Sequence, residues 1–159
     1  MVVRMLLVRH GHAGTKEGWA QDDRRRPLDA RGRRQAAHLV EVLVPLGPTR
    51  LVSSPYLRCR QTLEPLSAKT GDRIECDEAL VPDAGARTMA LVRRLARSPS
   101  SNGVVLCTHG EVMGDVLSVL ADQDGLRLRR RPPGLKGCVW VIEFEAGTAV
   151  RARYLAPPR

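Results

Sequence analysis

Residues 2–8 form an almost unbroken apolar run rich in valine and leucine, and residues 103–107 form a second. Runs of this length without polar alternation predict strands buried on both faces, and such strands need a layer of helices on each side. The expected fold is therefore α/β, a three-layer α/β/α sandwich around a mostly parallel central sheet. Both runs also end alike. The first delivers Arg9-His10-Gly11, and the second delivers Thr108-His109-Gly110-Glu111 and then a helix through Leu120. In sheets of this kind the ligand site lies beyond the carboxyl ends of the strands, where both histidines fall.

The rest of the chain supplies the missing elements. After Asp29, the residues Ala36, Leu39, Val40 and Leu43 recur at helical spacing until Pro45 and Gly47 stop them. Residues 51–53 read as a short strand. Ser54-Pro55 then opens a helix to Gly71 with Leu57, Thr62, Leu63 and Leu66 facing inward. A weaker strand at 73–76 precedes a helix at 87–97 that buries Met89, Leu91, Val92 and Leu95. Strands at 139–144 and 148–154, around Glu145-Ala146-Gly147, make a closing hairpin that adds an antiparallel C-terminal edge. Between Gly14 and Pro27 the chain is polar and aperiodic, which predicts a long surface loop.

A chain of 159 residues is the size of one domain, expected to span residues 1–159. No stretch approaches the roughly 20 apolar residues of a membrane helix, and the N-terminal run is too short for a signal peptide. A cytoplasmic protein without a membrane partner is expected. Cys59, Cys76, Cys107 and Cys138 are scattered with no C-x-x-C pair, so neither a zinc site nor a disulfide framework is suggested. The net charge of +9 comes almost wholly from arginine, since only three of the 26 basic residues are lysines. Such a surface favours anions. No aromatic residue lies among the arginine clusters to act as a base-stacking platform, so no nucleic-acid partner is expected.

His10, His12 and His109, three of the four histidines, directly follow the two best strands. Beside them stand Arg9, Gly11 and Gly110, and the strand at 51–53 is followed by Arg58 on the first turns of a helix. Guanidinium forks, a helix start and glycines that clear room are the means by which proteins hold phosphate.

Leu7-Val8-Arg9-His10-Gly11-His12 resembles the R-H-G signature of the histidine phosphatase superfamily. Ser54-Pro55-Tyr56-Leu57-Arg58-Cys59-Arg60-Gln61-Thr62 is similar to that family's S-x-x-x-R-x-x-Q-T segment, and Val105-Leu106-Cys107-Thr108-His109-Gly110 to its second-histidine segment. Asp23-Arg24-Arg25-Arg26-Pro27-Leu28 followed by Gly32 resembles the loop of the small SixA-type phosphohistidine phosphatases. The segments around Gly14, Arg26 and Leu135 are also similar to the phosphatase domain fused to some Nudix hydrolases, of which this chain would be a free-standing relative.

The resemblance implies a phosphoglycerate-mutase-like fold and a metal-independent phosphatase in which His10 takes the phosphoryl group. Arg9, Arg58 and His109 would surround the phosphoryl oxygens, with a protonated His109 adding charge. Gly11 and Gly110 would sit against the phosphate, and Asp23 and Arg26 over the mouth of the site. No cofactor and no metal are implied. Where larger members carry an acid, this chain has Pro82, which leaves Asp83, Glu78 or Glu111 as proton donor, or none. A missing acid matters least for a phosphoramidate or an acidic leaving group. That favours phosphohistidine or a nucleoside di- or triphosphate over simple sugar phosphates, and the SixA-type resemblance implies a phosphohistidine protein as substrate, with nucleoside di- or triphosphates or other small phosphoesters as the alternative. His12 and Glu111 would support their catalytic neighbours.

Three readings of other kinds compete. A zinc or two-metal centre is opposed by the absence of an H-E-x-x-H or comparable acidic pattern and by Arg9 beside His10. A non-catalytic phosphate-binding module is opposed by the complete set of reactive residues. A mutase is opposed by the short chain, which leaves little sequence for a water-excluding cap. The sequence carries no signal for oligomerisation.

Overall fold

A computed structural model describes all residues 1–159. Six strands form one sheet: β1 (Val2–Arg9), β2 (Arg50–Ser53), β3 (Ile74–Cys76), β4 (Val104–Thr108), β5 (Val139–Glu145) and β6 (Thr148–Leu155). Four helices accompany them: α1 (Ala30–Leu43), α2 (Leu57–Thr70), α3 (Ala86–Ala96) and α4 (Gly110–Asp124). The strand order is β3-β2-β4-β1-β5-β6, parallel from β3 to β1 and antiparallel through the hairpin at the C-terminal edge. No helix is long and apolar enough to cross a membrane.

Side-chain alternation along the buried strands divides the core into two layers. Val3, Met5 and Leu7 of β1 join Leu106, Trp140 and Phe144 in the layer that receives α3 and α4. Leu6 and Val8 join Val105, Cys107 and Val141 beneath α1 and α2. Right-handed crossovers account for the division, because the chain moves one way across the sheet through α1 and α2 and returns through α3.

Several local expectations change. Helix α2 starts at Leu57 rather than Ser54, because the residue before a proline is biased to extended backbone and Tyr56 continues that conformation (φ −61°, ψ 135°). The shift turns Arg58 and Cys59 inward with Thr62, Leu63 and Leu66, while Leu57 is only half-buried. Helix α4 runs four residues beyond Leu120, to Asp124, where Gly125 closes it at φ 70°. The 14–27 loop contains a 3-10 turn, Asp23–Arg25, and carries Arg26 into a buried position instead of keeping to the surface.

The turn after β1 is tied to the start of α1. Asp29 caps that helix through the Gly32 N–H (2.9 Å), accepts from the Gly14 N–H (3.0 Å) and pairs with the His12 ring. Burial alone would raise its pKa, but the Gly32, His12 and Gly14 bonds outweigh it and hold the carboxyl at about 2. Backbone meets backbone here: a Cβ on Gly32 would stand 2.0 Å from the His12 carbonyl oxygen. Gly32→Ala is expected to cost about 3 kcal/mol, the upper part of the overpacking range, in urea-induced unfolding.

Candidate active site

Parallel pairing of β1 with β4 sets Arg9 opposite Thr108, and the His10 N–H donates to the Thr108 carbonyl (3.0 Å). Each strand thus releases its histidine at the same level. The two rings lie edge to face with centroids 5.4 Å apart. His10 is 6% and His109 is 1% exposed.

His10 Nδ1 lies 2.8 Å from the Gly11 carbonyl, which can only accept, so Nδ1 carries the proton and Nε2 keeps its lone pair. The Nε of Arg58 donates to that Nε2 at 3.4 Å. Burial first, then the charges of Arg58, Arg9 and Lys136, hold the His10 pKa down to about 3 against a single opposing bond from Gly11. His10 is a neutral imidazole with its basic nitrogen facing cations.

His109 is fixed by Ser54, whose hydroxyl accepts from the Tyr56 N–H (3.3 Å) and is therefore free to donate to His109 Nε2 (2.9 Å). This network leaves the ring proton on Nδ1, a buried atom without a partner. The expectation of a protonated His109 is corrected: burial, followed by His10 and Arg58, lowers its pKa to about 2.

Arg58 is 4% exposed and is no solvated helix charge. Its Nη1 donates to the Asp23 carbonyl (2.8 Å) and its Nη2 to the Asp23 carboxylate (3.1 Å). Asp23 also accepts from Arg26 Nε (3.0 Å), and Arg26 Nη1 donates to the Ala13 carbonyl (2.6 Å). Burial would raise the Asp23 pKa, yet its bonds to Arg26 and Arg58 and their charges bring it below the ordinary value. Asp23 and Arg26 therefore do more than lie over a mouth: they clamp Arg58.

Arg9 donates through Nη1 to the Gly134 carbonyl (2.5 Å), and its Nε is buried without a partner. Its guanidinium lies on Gly110, where a Cβ would come within 2.7 Å of the Arg9 Cζ. The side chain missing at 110 thus makes room for Arg9. Gly11 is likewise occupied, its N–H donating to Thr62 Oγ1 (3.0 Å) and its carbonyl held by His10.

The cavity of about 800 Å³ at these strand ends is lined by Arg9, His10, Asp23, Arg26, Arg58 and Gly110. His109, almost fully buried, and Gly11 are not among the residues that line it. Pro82, Asp83 and Glu111 are on the wall too, whereas Glu78 is away from it, bonded to Arg24 (3.2 and 3.3 Å). Lys16, Arg131 and Lys136 extend the cationic rim. Nowhere do three His, Cys, Asp or Glu side chains come together as metal ligands. Sequence reasoning missed the supporting parts played by Ser54, Tyr56 and Thr62. Tyr56 packs its ring edge-on to His109 (4.7 Å) and beneath the guanidiniums of Arg24 (5.0 Å) and Arg58 (4.9 Å). All three lie in the segment that contains Arg58, but only the fold shows what each touches.

Fold and site together define an α/β sandwich whose strand ends gather two neutral imidazoles and several arginines for an anion. The profile of the Histidine phosphatase superfamily (branch 1) matches residues 5–82. An 8-oxo-(d)GTP phosphatase of Mycolicibacterium smegmatis (strain ATCC 700084 / mc(2)155) is 36% identical over 157 residues, 97% of this chain and 48% of that protein. The chain thus spans about half the length of this curated relative. The protein histidine phosphatase SixA complexed with tungstate superposes with a TM-score of 0.73 at 20% identity, covering 98% of this chain and 96% of that one. A mycobacterial glucosyl-3-phosphoglycerate phosphatase with VO3 gives 0.74 at 20% identity, over 96% and 97% of the two chains. These two structures share the fold. Residues 5–82 of this chain match the histidine phosphatase superfamily, and the whole chain has the fold of those two phosphatases.

The depressed histidines have a consequence for stability. In the unfolded chain both rings titrate near 6.5, but in the folded one only at about 3 (His10) and about 2 (His109), so between these values the unfolded state binds more protons. Stability is then full above about pH 6.5 and is lost as pH falls toward 3. Urea unfolding at pH 7.0, 6.2 and 5.5 should show the onset of this loss above the range where carboxylates titrate. In His109→Gln the loss should be reduced, and an unchanged slope would contradict the assignment.

Proposed function

We propose that this chain is a metal-independent phosphatase that works through a phosphohistidine on His10. One observation carries the reading: the unprotonated Nε2 of His10 faces a cavity walled by arginines, with its other nitrogen committed to Gly11. A neutral imidazole at this position is a nucleophile at any physiological pH. Its Nε2 attacks phosphorus in line, the bond to the leaving group breaks, and water then cleaves the P–N bond to release inorganic phosphate.

Arg9 and Arg58 would neutralise charge on the phosphoryl oxygens, and the Nδ1–H of His109 would donate to one of them. The two buried atoms that lack partners, Arg9 Nε and His109 Nδ1, support an anion as the natural occupant. A phosphoryl oxygen would also draw the Arg58 Nε away from His10 and free the lone pair. Asp23 and Arg26 act as positioning residues for Arg58, and Gly11 as one for His10. Asp83 and Glu111 are the candidates for protonating the leaving group, whereas Glu78 is remote from it.

The substrate favoured is a phosphohistidine in a partner protein. Pro82 supplies no acid, which suits a phosphoramidate, and the single aromatic ring on the cavity wall is covered by Arg24 and Arg58, so a nucleobase finds no free stacking surface. A second reading, dephosphorylation of nucleoside di- or triphosphates, is favoured by the 36% identity to the 8-oxo-(d)GTP phosphatase.

Phosphate release measured in chelator across phosphohistidine protein, nucleoside polyphosphates, sugar phosphates and an aryl phosphate tests both. His10→Ala is expected to abolish turnover, and Arg58→Ala to reduce it on the order of 100-fold. Gly110→Ala, which displaces Arg9, is expected to lose about 100-fold with the fold intact. Silence across the panel would leave a phosphate-binding module in place of the enzyme.

A further inference from the structure

A second cavity, of about 490 Å³, lies against the opposite side of the turn that follows β1. Its wall is formed by Arg9, His12, Arg31, Gln35, Leu135 and Lys136, with residues 157–159 closing the outer side. Arg9 and Lys136 line this cavity and that of His10 alike.

The polar groups here are almost all donors. Arg9 and Arg31 are guanidiniums, and Lys136 is an ammonium whose pKa is lowered by partial burial and by Arg9, Arg26 and Arg58, the mark of positive charge short of counter-charge. Gln35 is 3% exposed. Its Oε1 accepts from the His12 N–H (2.8 Å), which leaves its Nε2 amide without a protein acceptor. No aspartate or glutamate lines the cavity, and the carboxylate behind His12, Asp29, is already spent on His12, Gly14 and Gly32. An amide donor and four cationic side chains, Arg159 being the fourth, with no aspartate or glutamate among them call for an anion. The rim is different in kind: Leu135 is 56% exposed, and Pro157 and Pro158 stand beside it.

We propose that this cavity is a second anion site, separate from that of His10, which takes a phosphate or carboxylate group carried on a small apolar body. The charged group lies among Arg9, Arg31, Lys136 and the Gln35 amide, and the apolar body rests on Leu135 and the two prolines. Because Arg9 and Lys136 serve both cavities, an anion in one reduces the positive charge offered to the other. Two anions bound together therefore each bind more weakly than either does alone.

Equilibrium dialysis of the whole chain against radiolabelled inorganic phosphate, at fixed chloride concentration, tests the site without relying on turnover. Two phosphates per chain are expected, one of them lost in Arg58→Ala. The other should weaken about tenfold or more in Arg31→Glu, the range of a charged hydrogen bond, and by less in Arg31→Ala. Arg31→Ala, which places no negative charge beside Arg9 and Lys136, should leave turnover of a small aryl phosphate unchanged, since this exposed side chain faces only the second cavity. A single phosphate lost in Arg58→Ala and kept in Arg31→Glu would overturn the second site and leave the reading of His10 intact. A single phosphate lost in Arg31→Glu and kept in Arg58→Ala would do the reverse. Any stoichiometry and affinity that Arg31→Glu leaves untouched overturns the proposal.

Discussion

The parallel pairing of β1 with β4 is the constraint from which the rest of the site follows. With Arg9 opposite Thr108, the two strands end level, and His10 and His109 leave the sheet as neighbours. Both strands are held there by apolar layers on either face, so neither can slip by one residue without turning every core side chain the wrong way. The core thus does more than stabilise. It fixes the separation of two rings to the precision of a backbone register.

Around those rings the chain concentrates cations and supplies few acids. Arg9, Arg26, Arg58 and Lys136 act on the same small volume, and Asp23 is the acid that organises it by holding two arginines at once. Packed cations of this kind repel one another, and the backbone carbonyls of Ala13, Asp23 and Gly134 share the task of holding them. Burial, with this field added to it, keeps both histidines neutral, so the residue set that would draw in an anion also helps preserve the lone pair that would attack it.

Much of this was legible in the sequence, and for identifiable reasons. Continuous apolar runs at 2–8 and 103–107 announced doubly buried strands, and the spacing of the helices gave the layers. Both histidines and Arg58 carried motif context. What was not legible depended on distant partners. Nothing local marks Asp23 as the clamp of a residue 35 positions away, or Ser54 as the group that sets the tautomer of a histidine 55 positions away. The start of α2 was misplaced because a Ser-Pro pair suits a helix entry as well as an extended approach, and only the bonds of Ser54 to Tyr56 and His109 decide between them. Gly110 lines the cavity and also leaves room for the Arg9 guanidinium, a second demand for space that the sequence does not show.

Tyr56 is the one aromatic side chain on the wall of the larger cavity, and its ring is engaged by two guanidiniums and an imidazole. A pocket so arranged sorts its visitors by how much negative charge they bring rather than by the outline of a ring. Discrimination of that kind is graded and depends on the surrounding electrolyte, because mobile ions screen charge but leave shape untouched. The fidelity of such a protein would therefore be a property of its medium as much as of its fold.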